Sequence, residues 1–196
     1  FQEPTENLFP EALRQMSSSA GWNISHHSPY SGQFITNYGT RNHVYKLNHD
    51  GSSNGDWYSS VSLPPAYVGE EYVFSLDYKV TTGTNKPSSP LLYQDGWKTG
   101  GSANRLFLYD KNIGDGWKQI AYKFTINKAG TPLLRMSTGY TSSVWEVYMD
   151  NYQFEKKPYS TPFVNGIREG IVRDSSGQDN DASLALTTTP KWTSNS

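Results

Sequence analysis

Residues 144–154 alternate with a period of two, Trp145, Val147 and Met149 on one face of the pattern and Glu146, Tyr148 and Asp150 on the other. A helix would bring its apolar residues back every three or four positions, so this beat fits an extended strand with one face turned to a core. Residues 72–80 repeat it, with Tyr72, Phe74, Leu76, Tyr78 and Val80 set against Val73, Ser75, Asp77 and Lys79. So do residues 119–126, where Ile120, Tyr122, Phe124 and Ile126 alternate with Gln119, Ala121, Lys123 and Thr125. Strands of this kind, apolar inside and wet outside, stack as two sheets.

Further strands are expected at 22–25, 42–47, 57–62, 105–109 and 131–138, separated by HDGSSNGD, TTGTNKPSSP and KTGGSAN, runs dense in turn residues. Many short strands at close spacing predict an all-β fold, a two-sheet antiparallel jelly-roll sandwich. Phe74, Leu76, Tyr122, Phe124 and Leu134 are the expected core. Only 35% of residues are hydrophobic, but 14 Tyr and 6 Trp supply large flat side chains to fill it. One helical turn is expected over 10–16, where Pro10 suits a first-turn position and the serines that follow end the element.

Charge narrows the partners. The net charge is −1, which gives no basic field to hold a phosphate backbone, so nucleic acid is not an expected partner. There is no Cys, hence no disulfide framework and no thiolate metal site. No apolar run approaches the ~18 residues of a membrane-spanning helix, so no membrane insertion is expected. Residues 1–20 lack the charged-then-apolar form of a secretory signal, and Phe1 in place of Met suggests a processed chain or an excerpt.

Several phrases, in order, carry a family resemblance. They are NLFP at 7–10 with Gly21 and Trp22, VGEEYVFSLDYKV from Val68, DGWKQIAYKFTI at 115–126, and VYMDNYQFE from Val147 closing with STPF at 160–163. Together they resemble the carbohydrate-binding-module jelly rolls related to families 4, 9 and 22, galactose-binding-like sandwiches, and especially the copies in phage tail-fibre and other virion proteins. The resemblance covers about residues 7–163. It implies an N-terminal arm at 1–20, a jelly roll at 21–160 and a separate segment at 161–196. In that segment Val172, Asp174, Ser176, Gly177, Asn180, Leu184, Pro190 and Trp192 resemble the opening of a laminin-G or concanavalin-like domain. A segment so short cannot bury a sandwich core, so a linker plus the first strand of an incomplete second domain is expected.

What the family implies is a non-catalytic binding module in a viral structural protein such as a tail fibre, head fibre or capsid decoration protein, located in the virion. Its partners would be a surface glycan or other virion proteins. The alternative is a carbohydrate-binding module of a secreted bacterial polysaccharide-degrading enzyme. Symmetry is common in oligomeric proteins, which makes a homo-oligomer an expectation of the virion reading.

Glycan binding needs rings that stack on sugar C–H faces and polar groups that orient hydroxyls. Rings in or beside loops are the candidates: Trp57 and Tyr58 after SSNGD, Tyr93 and Trp97 around QDG, and Tyr140 in a Ser/Thr/Gly turn. Gln94, Asp95, Lys98 and Arg105 could supply hydrogen bonds. Trp22, Trp117 and Trp145 are expected to pack in or near the core, with Trp145 a fallback platform.

Related jelly rolls often hold a structural Ca²⁺ where the N-terminal segment meets the last strand, and the resemblance assigns Asp150 and Glu11 as its metal ligands. Hard cations take oxygen donors. The four histidines, His26, His27, His43 and His49, lack metal-ligand spacing and are expected on the surface. Asn23-Ile24-Ser25 is a glycosylation sequon of consequence only in a eukaryotic secretory setting. A glycosidase would need two positioned carboxylates. Asp95 with Asp110 is one pairing; Glu146 and Asp150 on one strand face stand about 13 Å apart, too far for either hydrolytic geometry. The chain is therefore not expected to be an enzyme.

Overall fold

The computed structural model describes residues 4–20, 22–26, 30–52, 57–94, 103–137, 142–165, 167–168, 170–172, 182–184 and 190–192. In chain order its elements are β1 (Thr5–Glu6), α1 (Glu11–Arg14), β2 (Asn23–His26), β3 (Tyr30–Tyr38), β4 (Arg41–His49), β5 (Trp57–Ser62), β6 (Glu71–Thr82) and β7 (Ser88–Gln94). There follow β8 (Ala103–Gly114), β9 (Trp117–Ile126), β10 (Pro132–Ser137), β11 (Trp145–Glu155), β12 (Ile167–Arg168), β13 (Gly170–Val172), β14 (Ala182–Leu184) and β15 (Pro190–Trp192). A four-stranded antiparallel sheet runs β2-β5-β10-β7 and a six-stranded one β3-β4-β11-β6-β9-β8. This is the expected all-β sandwich.

The core lies between the sheets. Phe74, Leu76, Tyr122 and Phe124 from the larger sheet meet Val61, Leu92, Leu134 and Met136 from the smaller, all buried in one cluster. Trp145, Val147 and Met149 belong to it too, so the alternation in β11 sorts its first half as expected. Then the beat breaks. The pairing of β11 with β6 slips between Asp150 and Gln153, and Asn151 adopts φ 51. This bulge adds a residue to one strand and reverses which parity faces inward. Tyr152 and Phe154 therefore enter the core.

The N-terminal arm closes the same core. Phe9, Leu13 and Met16 are buried in it, Phe9 standing edge-on to Phe74 at 6.0 Å between ring centres. Leu8 N–H donates to the Phe154 carbonyl at 2.8 Å, and the Asn7 side chain donates to the Tyr152 carbonyl at 2.8 Å while accepting from Phe154 N–H at 3.1 Å. Asn7 thus does the work of a strand neighbour for β11. The helical turn is real but short, Pro10 preceding Glu11–Arg14.

Three expectations need correction. First, β3 and β7 were not foreseen as strands. β3 is a largely exposed edge strand with little alternation in burial, and β7 contains Pro90, which an edge strand tolerates because no neighbour needs its missing N–H. Second, the polar face of β6 is not wet, since Val73, Ser75 and Asp77 are buried. Val73 and Ser75 pair with Glu155 and Gln153, which are themselves covered by the returning segment around Thr161. Third, His49 is not on the surface: it is 1% exposed, with its ring parallel to that of Trp145 at 6.2 Å and its Nδ1 accepting from Gly51 N–H at 3.0 Å.

Under the returning segment the Glu155 carboxylate is fully buried and accepts from Thr5 Oγ1 at 2.6 Å, Thr161 Oγ1 at 2.7 Å, and Thr161 N–H and Gln153 Nε2 at 2.8 Å each. This network ties the arm, β11 and the segment after it together. Beyond it β1 pairs with β12, and β13, β14 and β15 form a three-stranded antiparallel sheet of their own.

Candidate functional site: a polar cleft beside the β11 bulge

The outer face of the six-stranded sheet carries a second, smaller cluster of Val44, Trp117 and Tyr148, with Ile35 and Tyr38 packed against it. Tyr38 stacks on Tyr148 at 4.1 Å. Tyr38 and Arg41 face each other across the short turn at Gly39 and Thr40, where Gly39 has φ 62. The turn delivers Arg41 onto the cluster, its guanidinium 4.5 Å from the centre of the Trp117 ring.

From there Arg41 Nη1 donates to Oδ2 of both Asp77 and Asp150, each at 2.9 Å. The bulge supplies the remaining donors: Asn151 N–H to Asp150 Oδ1 at 2.7 Å and Asn151 Nδ2 to Asp77 Oδ2 at 2.8 Å. Burial opposes the charge on Arg41, yet hydrogen bonds and attraction from Asp77 and then Asp150 hold its pKa above the usual arginine value. Asp150 is the strained member: burial raises its pKa, and the Asn151 N–H and Arg41 offset only part of that.

Beside this cluster opens a cleft of ≈ 580 Å³. The end of α1 contributes Arg14 and Gln15, the hairpin Thr40 to His43, the bulge Asp150 and Asn151, and the returning segment Phe163 and Asn165. Arg14 Nη1 is anchored on the Asn7 carbonyl at 3.1 Å, while its buried Nε has no partner among the described residues. The cleft therefore mixes guanidinium, amide, imidazole and carboxylate groups around one aromatic ring. Sequence reading gave a site role to Asp150 alone of these and placed His43 only as a surface histidine. The QFE and STPF phrases marked the covering segment, but nothing local showed that the β3–β4 turn would land beside it.

The ring candidates lie elsewhere. Trp57 and Tyr58 stand opposite His26 and Ser25 on β5; Tyr93 and Gln94 stand opposite Leu133 and Pro132 on β7. β5 and β7 flank β10, but Tyr58 stands opposite Ser137 at one end of β10 and Tyr93 and Gln94 opposite Leu133 and Pro132 at the other. Their side chains, and Asp95, Trp97, Lys98 and Tyr140 altogether, lie outside the described residues. Arg105 is exposed on β8, donates to the Pro90 carbonyl at 2.9 Å and sits 5.6 Å from the Tyr122 ring centre. Trp22, Trp117 and Trp145 are all buried, Trp117 in the outer cluster rather than between the sheets.

The residues assigned to Ca²⁺ do not fit it. Glu11 is exposed and accepts from Gln15 Nε2 at 3.0 Å, while Asp150 is committed to Arg41 and its own bulge. Calcium asks for six or more oxygens, and no group of three or more acidic or imidazole side chains is poised for a metal among the described residues. Where arm and last strand meet, Glu155 accepts hydrogen bonds from Thr5 and Thr161. Glu146 is likewise occupied, by Lys46 at 2.6 Å and Thr81 at 2.7 Å.

No family model matches this chain, and no curated protein matches it in sequence. Solved structures with a similar outline include the enzymatically active domain of tailspike protein 4 of bacteriophage CBA120, 11% identical with a TM-score of 0.47 over 76% of this chain. This chain spans only 21% of that tailspike's length. Another is the family 11 carbohydrate-binding module from Clostridium thermocellum in complex with a β-1,3-1,4-mixed-linked tetrasaccharide, 12% identical with a TM-score of 0.47, covering 76% of this chain and 95% of that one. A third is the family 11 module of the cellulosomal cellulase Lic26A-Cel5E, 12% identical, TM-score 0.45, covering 72% and 91%.

Proposed function

We propose that this chain is a non-catalytic jelly-roll module of a phage structural protein, and that it attaches the virion to a surface glycan. The cleft beside the bulge carries the glycan part. Sugar hydroxyls both donate and accept, and Gln15, Asn42, Asn151 and Asn165 offer both functions within one concavity. Arg41 and Arg14 together offset the two charges of Asp77 and Asp150, so an uncharged ligand would enter a site already balanced in charge. The volume of ≈ 580 Å³ falls within the range of about 300–1,000 Å³ usual for small-ligand sites. Phe163, half-buried in the wall, offers an apolar surface to a sugar ring.

The same groups support the reading of a binding role without catalysis. Asp77, Asp150 and Glu146 are all engaged with cations or amides, which leaves no pair of free carboxylates there for acid and nucleophile. The phage part rests on the closing phrase at 147–163 and its resemblance to virion copies of the fold.

A glycan array with the wild type and with Asn42→Ala plus Asn165→Ala tests the reading. Both side chains are exposed, so folding should survive. Loss of about thirtyfold in affinity is expected, from two hydrogen bonds worth roughly 1 kcal/mol each. Unchanged binding would move the site to the loop rings around Trp97. No wild-type binding to any glycan would leave attachment to other virion proteins as the better account. The flanking sequence decides the setting: virion domains support the phage reading, a polysaccharide-degrading catalytic domain overturns it.

A further inference from the structure

A second pocket, of ≈ 420 Å³, opens where the end of β6 meets the β8–β9 turn. Its wall includes Tyr78, Gly83, Thr84 and Gly116 together with two ammonium groups, Lys86 and Lys118, and no carboxylate among the described residues. A neighbouring acid, Asp110, is already taken: Tyr78 Oη donates to its two oxygens at 2.7 and 2.9 Å, and Lys86 Nζ bonds it as well. A third lysine, Lys79, is held by the Asp115 carbonyl at 2.9 Å. Lys118 is exposed and makes no ion pair among the described residues.

Two of the wall residues are glycines with left-handed backbones. Gly83 has φ 71, and a Cβ there would come within 2.6 Å of the Val144 carbonyl oxygen. Gly116 has φ 77, and its Cβ would meet Lys79 Cε at 3.3 Å. Lys86 is pre-positioned by Asp110 yet keeps 40% of its side chain in solvent, so less freedom is lost when it contacts a ligand. Asp110 meets the charge of Lys86, and the ammonium of Lys118 beside it leaves the pocket favouring an anion.

We propose that this pocket binds the acidic group, carboxylate or sulfate, of an acidic saccharide, with Lys118 and Lys86 as its cationic contacts. That the bearer is a saccharide rests on the glycan reading above; that it is an anion rests on this pocket alone.

An array of matched neutral and acidic glycans, probed with the wild type and Lys118→Gln, is the test. The wild type should bind acidic members roughly tenfold better at low salt, a preference that weakens as salt rises. Lys118→Gln should abolish the preference and leave neutral glycans bound as before. Equal wild-type binding of both members of each pair overturns the anion pocket and leaves the glycan reading standing. If no glycan binds, the glycan reading fails, and amine labelling read by mass spectrometry judges the pocket. Glucuronate or inorganic sulfate should then slow modification of Lys118 several-fold relative to Lys111. Equal slowing of both lysines, or none, overturns the pocket.

Discussion

The guanidinium of Arg41 lies 4.5 Å above the ring of Trp117. It is the hinge between an aromatic cluster and two carboxylates, and it joins a hairpin turn to strands far away in sequence. Removing it exposes what it was compensating. Arg41→Ala should destabilise the fold by about 3 kcal/mol, because Asp77 and Asp150 are left buried and unpaired. Chemical denaturation measures this. Asp77→Asn in the same background should recover part of the loss, since one uncompensated charge is gone; no recovery would mean packing on Trp117 carries the effect.

Asp110 sets an acid limit. Burial works against its ionisation, but Lys86 and Tyr78 outweigh that and hold its pKa below the ordinary 3.8. A lowered folded pKa means the unfolded chain binds the proton first, so the stabilisation is present above pH 3.8 and is lost as pH falls through the folded value. Urea midpoints measured from pH 6 down to about 2 should fall less steeply in Asp110→Asn than in the wild type. Parallel curves would reject the assignment.

Glu155 is held by its hydrogen bonds from Thr5, Gln153 and Thr161. Glu155→Gln places an amide N–H₂ among groups that are themselves donors, from Thr5, Gln153 and Thr161. The expected cost is roughly 2–4 kcal/mol, about the penalty of one or two unmet buried groups. Calcium should not raise the melting temperature of the wild type; a rise saturating at millimolar calcium or below would show a cation site elsewhere.

Asn151 holds a left-handed backbone at φ 51. Asn151→Gly relaxes that conformation but loses the bond to Asp77, whereas Asn151→Ala keeps the strain and loses the bond as well. Ala should be less stable than Gly by about 1 kcal/mol in denaturant melts. The reverse order would mean the bulge is not held in this form in solution.

For the loop ring, Trp97→Ala should weaken glycan binding by roughly 1–3 kcal/mol with melting unchanged if that ring is a stacking platform. A lowered melting temperature instead would place the ring in the core.

The sequence alone determined the sandwich. Alternation in residues 72–80, 119–126 and the first half of β11 names inward residues correctly, because a strand's two faces are a local consequence of its period, and burying one of them is a demand of water. Phe74, Leu76, Tyr122, Phe124 and Leu134 are buried for that reason. What only the tertiary structure decided is what covers the outward faces. Asp77 looked solvated beside Ser75 and Lys79; a turn more than thirty residues earlier brings Arg41 onto it. His49 looked like a surface group until Tyr30 and Trp145 closed around its ring. The bulge at Asn151 reversed the inward parity of β11 at one backbone torsion. Polar residues have no period to betray their partners: whether a carboxylate meets water, an arginine or an amide depends on chain segments that meet only once the sheets have formed.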